Sequence, residues 1–287
     1  MTGKTNDASP TSSPYKASWL RRAGTLCAIA VLKRVRKRYS GVLFLTRGLC
    51  VKYGKDIDLA EAATLNYVRG HTSIPVAKVH CAFQHGDATY ILMERLPGQK
   101  LAHGWTQRSV ESQQNILSQL KGMVNQMRDL KPPHGSAVAN VDGGSLTDPR
   151  LPGLGLAHPV QTSTRFGPFE DVKAFHRWLR RPAYDRQDDN FAEVNDLIAF
   201  HEDTEWGMPV FIHGDLSSLN ILADGDTVTG IVDWETAGWY PAYWEYTTAM
   251  QVNFKNEFWK GYIDDFIEPR PDDLRMESIR QKYFGDT

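Results

Sequence analysis

The chain has 287 residues, 41% hydrophobic and 23% charged, which suffices for one large domain or two lobes around a sizeable core. The formal net charge is −1, so there is no global field of the kind that collects nucleic acid or coats an anionic membrane, and neither is predicted as a partner. The three cysteines, Cys27, Cys50 and Cys81, match no zinc or redox spacing, which predicts a reducing, cytoplasmic setting; oligomeric state is not legible.

Residues 1–18 are rich in Ser, Thr and Pro and predict a disordered tail. The apolar run Ala23 to Leu32 is too short to span a bilayer and leads into basic residues instead of a small-residue cleavage site. The basic cluster from Lys33 to Arg38 has two readings, a nuclear-import or phosphate-binding patch and a solvated face; the solvated face is mechanistically the less demanding.

From Gly41, Val42 to Leu45 and Leu49 to Tyr53 read as a hairpin, with Lys52 near the end of its second strand. Asp58 opens a helix in which Glu61, Leu65 and Val68 share a face, ending before Gly70. Strands follow at Val79 to Phe83 and Thr89 to Met93, and Pro97-Gly98 breaks the chain. Together these predict a sheet-and-helix lobe over residues 19–96 and a helix-rich lobe over 97–287. The second lobe's clearest signals are Val110, Gln114, Leu117, Leu120, Val124, Met127 and Leu130 at helical spacing, and later Val172, Phe175, Trp178 and Leu179. Between them, Pro132 to Pro168 is a long Pro/Gly-rich segment without periodicity.

The chemistry concentrates in Phe211-Ile212-His213-Gly214-Asp215-Leu216, Asn220-Ile221-Leu222 and Ile231-Val232-Asp233-Trp234-Glu235. An apolar strand enters a polar loop, a hairpin turns at Asp224-Gly225, and a second apolar strand stops at an acid. Phosphoryl transfer needs a carboxylate that orients the attacking hydroxyl and accepts its proton, plus oxygen ligands for magnesium. Asp215 suits the first task, and Asn220 and Asp233 the second. Asn220 follows Asp215 by five positions, the kinase catalytic-loop spacing, and Asp233 lies just far enough on for a hairpin to bring it back.

These motifs, with Ala237-Gly238-Trp239-Tyr240-Pro241 and Tyr243-Trp244-Glu245-Tyr246, resemble the aminoglycoside phosphotransferase family of the protein-kinase-like superfamily, especially its branch abundant in filamentous fungi. The resemblance runs from about Gly41 to Tyr262. It implies an α+β, bilobal protein-kinase-like fold, with a small N-terminal antiparallel sheet plus helix and a larger helix-rich C-terminal lobe. It also implies that Lys52 holds the α- and β-phosphates of ATP, that Glu61 positions Lys52, and that the backbone of Met93, Glu94 and Leu96 meets the adenine. Asp58 and Glu61 also fit a helix capping box, a reading that asks for no function. His213 is read as a structural brace of the catalytic loop.

Two departures stand out. No glycine-rich phosphate loop precedes the lysine strand, so any cover over the phosphates comes from an ordinary hairpin. Ser217 occupies the position where protein kinases usually place a lysine against the transferring phosphate. The short segment after Asp233 leaves no room for a long activation loop, which points away from peptide substrates. Trp239, Tyr240, Tyr243 and Trp244 are expected as core before substrate wall, and Asp264, Asp265, Glu268, Asp272 and Asp273 as candidate contacts for a cationic substrate or a solvated helix face. The expectation is an ATP- and Mg2+-dependent kinase acting on a hydroxyl of a small molecule; the alternative is a nucleotide-binding pseudokinase without turnover.

Overall fold

The computed structural model describes residues 12–151, 165–180, 192–251 and 254–285. Helix α1 (Trp19–Leu32) precedes strands β1 (Val42–Phe44) and β2 (Leu49–Gly54), helix α2 (Leu59–His71), and strands β3 (Val79–His85) and β4 (Ala88–Glu94). The four strands form one antiparallel sheet in the order β1-β2-β4-β3. Register sets Lys52 opposite Val42 on one side and Ile91 on the other. Side chains alternate across β2, so Val51 packs with Leu43, Leu45 and Ile29 of α1, while Lys52 turns to the opposite face, toward α2.

Helix α2 begins where predicted and runs to His71, past the expected stop at Gly70. Its N-cap is Asp58, whose side chain accepts from Ala60 N at 2.7 Å, a cap worth about 1 kcal/mol. Part of the expected tail belongs to the fold: Tyr15 exchanges two 2.9 Å backbone hydrogen bonds with Ala82. The cause is that β3 lies at the sheet edge, where its unpaired backbone groups accept an added strand segment. Residues 1–11 of that tail lie outside the described residues.

Past Pro97-Gly98, β5 (Gln99–Lys100) pairs with β9 (Ile221–Asp224), itself hairpinned to β10 (Thr227–Ile231). Helix α3 (Val110–Asp129), capped by Ser109, buries Ile116, Leu117, Leu120, Val124 and Met127. Val110, 68% exposed, and Gln114 were expected on that face but point outward, because the buried face runs through Ser112 and Ile116 instead. Strand β8 (Val210–Ile212) pairs with β11 (Gly238–Tyr240). Helices α4 (Val172–Arg180), α5 (Ala192–Asp203), α6 (Trp244–Met250), α7 (Lys260–Phe266) and α8 (Pro271–Phe284) complete a bilobal α+β architecture. One apolar core runs through both parts, from Leu59 and Val68 of α2 to Leu120 of α3, Phe211 of β8, Trp234 and Ile263 of α7.

The segment from Pro132 to Pro168 is not featureless where described: β6 (Leu146–Thr147) pairs with β7 (Arg165–Phe166). Residues 152–164 of it lie outside the described residues. Trp239, Tyr240, Tyr243 and Trp244 are all buried, so they are core and not a substrate wall. Among the described residues no helix is long and apolar enough to cross a membrane.

Candidate active site

Four segments meet between the sheet and the helical part. Strand β2 supplies Lys52, α2 supplies Glu61, the loop after β8 supplies Asp215 and Asn220, and the end of β10 leads to Asp233 and Glu235.

Lys52 is the hub. Its Nζ lies 2.8 Å from Glu61 Oε2, 2.6 Å from Asp233 Oδ1 and 3.1 Å from Glu235 Oε2. Burial disfavours its ammonium, but the three carboxylates outweigh burial and hold the pKa above its ordinary value. Burial likewise raises the Glu61 carboxyl, opposed by Lys52. The two readings of Asp58 and Glu61 separate here: Asp58 caps α2, whereas the Glu61 side chain reaches Lys52. An ammonium with a side chain 6% exposed, facing carboxylates of Asp233 and Glu235 that are 40% and 33% exposed, leaves surplus negative charge at the mouth of the cleft.

Asp215 follows a turn that only glycine makes without strain. Gly214 has φ +80°, and a Cβ there would come within 2.9 Å of the Thr236 carbonyl oxygen. His213 is buried and uses both ring nitrogens: Nε2 donates to Val232 O at 3.0 Å and Nδ1 accepts from Asp215 N at 3.1 Å. Those partners require the neutral imidazole, and burial lowers its pKa accordingly. His213 therefore braces the loop. Glu245, at the start of α6, adds a second brace by accepting from His213 N at 2.6 Å and Gly214 N at 3.0 Å.

Asn220 Nδ2 donates to the Asp215 carbonyl at 2.9 Å and to its Oδ2 at 2.7 Å. Both partners are acceptors, so the amide nitrogen faces Asp215 and the amide oxygen points elsewhere. The β9–β10 hairpin returns the chain as expected, and Val232 N donates to Asn220 O at 2.9 Å. Asp233 itself is left-handed, with φ 67°, a conformation Asp tolerates better than most residues; buried Trp234 follows it, with Nε1 donating to Ile231 O.

Sequence reasoning missed Arg150. Its guanidinium holds buried Asp148 through Nε at 2.9 Å and Nη2 at 2.7 Å, donates from Nη2 to Gly214 O, and brings Nη1 to 3.5 Å from Asp215 Oδ1. Burial raises the Asp215 carboxyl, while Arg150 and the Asn220 hydrogen bond pull the other way. Arg150 lies in the aperiodic Pro/Gly segment, where only its proximity to Asp148 could have marked it. Glu235 and Glu245 stood inside quoted motifs, but no spacing argument assigned them partners.

The hinge candidates lie at the end of β4 and just past it. Met93 and Glu94 pair with Cys50 and Leu49 at the end of β4, with Glu94 N donating to Lys78 O at 2.9 Å. The Leu96 side chain packs on β10, so that a Cβ at Gly230 would lie 2.5 Å from Leu96 Cδ1. Ahead of the lysine strand, Tyr39 and Val42 bond across a tight turn at Ser40 and Gly41, both left-handed, and a Cβ at Gly41 would sit 3.9 Å from Lys52 Cγ. The expected hairpin is β1–β2 itself, which turns between Leu45 and Leu49, where Leu45 N and Thr46 N donate to Leu49 O at 2.9 and 3.0 Å.

A family model described as the phosphotransferase enzyme family, APH, matches residues 56–276. Among solved structures, the gentamicin complex of APH(2")-IIa is similar with a TM-score of 0.54 at 9% identity, covering 93% of this chain and 87% of that one. A thermostable mutant of aminoglycoside phosphotransferase APH(4)-Ia, in a ternary complex with ADP and hygromycin B, is similar with a TM-score of 0.52 at 14% identity, covering 87% and 93%. APH(3'')-Id from Streptomyces rimosus ATCC10970 is similar with a TM-score of 0.51 at 15% identity, covering 94% and 100%. At such identities the likeness shows the fold alone. No curated protein matches the chain by sequence.

Proposed function

Since the chain belongs to the phosphotransferase enzyme family, APH, we propose that it transfers the γ-phosphate of ATP to a hydroxyl of a small molecule. The observation that carries this reading is the Lys52 hub, which ties Glu61 of α2 to Asp233 beside the Asp215–Asn220 pair. In this reading Asp215 orients the acceptor hydroxyl and takes its proton at a carboxylate oxygen, and Lys52 binds phosphate oxygens in exchange for part of its present carboxylate contacts. The backbone of Met93, Glu94 and Leu96 meets the adenine.

The donor set suits magnesium, which takes few protein ligands and completes its shell with phosphate oxygens and water: with its amide nitrogen turned to Asp215, Asn220 has its amide oxygen left to ligate, and the Asp233 side chain is 40% exposed. Asn220 and Asp233 would hold it, and when bound it would neutralise phosphate charge.

Arg150 supplies positive charge beside Asp215, where Ser217 supplies none. A fixed cation there supports a neutral hydroxylated acceptor over a polycationic one. So does the engagement of two of the late acids: Asp264 accepts from Tyr246 OH at 3.1 Å, and Glu268 pairs with Arg270 at 2.9 Å. The Ala237 to Pro241 and Tyr243 to Tyr246 motifs support a place in the branch abundant in filamentous fungi, and three free cysteines support a cytoplasmic setting.

The test is a screen of a metabolite extract for ATP-dependent gain of one phosphate by mass. Asp215→Asn should abolish turnover while Mg-ATP still raises the melting temperature by several degrees, since saturating ligand adds about 3 kcal/mol. Turnover that survives the substitution removes Asp215 from the role given, and no thermal shift with Mg-ATP removes the nucleotide reading altogether.

A further inference from the structure

The overall charge of −1 conceals a strong asymmetry. Residues 12–55 carry eleven Lys and Arg and no Asp or Glu, so the rest of the chain is correspondingly acidic. This basic stretch contains α1 and the turn after it, which no part of the site described above uses.

Helix α1 has an unusual surface. One side, with buried Thr25 and Ile29, lies on the outer face of the four-stranded sheet. Its other side carries Leu20, Ala23, Gly24, Cys27 and Val31 at helical spacing, all exposed and none charged. The large members are well out of the core: Trp19 is 75% exposed, Leu20 65% and Val31 66%, and just beyond the helix Val35 is 78% and Tyr39 61%. Among the described residues only Val110 and Met208 are other large hydrophobics exposed to this degree. A helix apolar on both sides is normally buried on both, and a contiguous exposed apolar patch marks a contact surface.

The flanking charges choose the occupant. Some basic residues serve the fold: Arg21 donates to His80 O at 2.8 Å, and Arg36 to the carbonyls of Phe44 and Leu45. Lys33, Arg34 and Lys37 are exposed at the end of the apolar stripe. A second copy docked through this face would bring two acid-free basic segments together, which electrostatics opposes. An anionic lipid surface satisfies both features at once, taking the apolar side chains into the headgroup boundary and pairing the cations with lipid phosphates and carboxylates; Trp and Tyr suit such boundaries.

We infer that the outer face of α1 docks peripherally on an anionic phospholipid bilayer. The helix lies in the plane of the interface and does not cross it. Because Lys52 is on the opposite face of the sheet, the cleft stays open while the protein is docked.

The experiment is co-sedimentation of the full chain with vesicles of phosphatidylcholine alone and of phosphatidylcholine with phosphatidylserine. Two variants are compared, Leu20→Glu with Val31→Glu, and Lys33→Gln with Arg34→Gln and Lys37→Gln. The wild type should bind only the serine-containing vesicles and be released as salt rises from about 0.1 to about 0.5 M. Each variant should bind about ten-fold less or weaker still, with unchanged circular dichroism and melting temperature. Absence of wild-type binding at low salt overturns the inference. So does equal binding by both variants, or a lipid-free dimer, seen by light scattering, that Leu20→Glu with Val31→Glu dissolves.

Discussion

Arg150 and Asp215 stand 65 positions apart in the chain, yet Nη1 of one lies 3.5 Å from Oδ1 of the other. The guanidinium is held in place by buried Asp148 and by the Gly214 carbonyl, so it is a fixed charge at the carboxylate assigned as base. Its removal should cost transition-state stabilisation more than nucleotide affinity. Arg150→Met is expected to lower kcat by roughly 10- to 100-fold with the KM for ATP little changed, and Arg150→Lys to recover part of the loss. Steady-state kinetics of the two variants decide it; a kcat equal to that of the wild type would show that Arg150 only anchors its own loop.

Lys52 neutralises a buried partner as well as reaching the cleft. In Lys52→Met the Glu61 carboxyl, 3% exposed, loses its counter-charge, and breaking such a pair costs about 3 kcal/mol. The double variant Lys52→Met with Glu61→Gln should regain much of that stability but none of the nucleotide-induced thermal shift. Urea melts of the single and double variants measure the first effect, and thermal melts with Mg-ATP the second. If the single and double variants were equally stable, the coupling would be absent.

Gly214→Ala adds a Cβ 2.9 Å from the Thr236 carbonyl at a residue with φ +80°. The expected loss of stability is about 1–3 kcal/mol, with a larger relative loss of turnover because Asp215 is the next residue. Gly207→Ala, where a Cβ meets nothing within 4 Å, serves as the control and should leave both unchanged.

His176 and His201 stack with ring centroids 4.0 Å apart inside the helical part. Burial, then the charge of Arg180, pushes His176 down to about 3, and burial with the neighbouring His176 and Arg180 pushes His201 well below its usual value of 6.5. Both are therefore neutral in the folded protein where the unfolded chain takes up protons. Their contribution to stability is full above about pH 6.5 and is lost as the pH falls below it, for His176 down toward about 3, at about 1.4 kcal/mol per pH unit for each histidine that stays neutral. Urea denaturation across that range should show the decline, and His201→Phe should make it shallower. An unchanged slope in that variant would assign the acid sensitivity to carboxylates instead.

Several parts of the site were legible because they depend on local spacing. Asp215 and Asn220 belong to one loop, five positions apart, and a hairpin with a recognisable Asp224-Gly225 turn connects them to Asp233. Lys52 announced itself as a charge closing an apolar strand. Glu61 was ambiguous between cap and counter-ion, since a capping box and a helix-face carboxylate share one spacing; only the approach of β2 to α2 resolved it. The same holds for the tail, where Tyr15 has no local signal and joins the fold only because β3 leaves an open edge.

By itself the sequence determined the elements from β1 to β4, helices α3 and α4, the bilobal α+β class and the loop that carries the carboxylate and amide, since turn chemistry and hydrophobic period act over a few residues; α1, β6 and β7 were not read from it. Tertiary structure alone decided that Arg150 stands against Asp215, that Glu245 props the loop, that one lysine gathers three carboxylates, and that α1 turns an uncharged face outward. These depend on long-range approach, where burial and charge select partners that no spacing along the chain records.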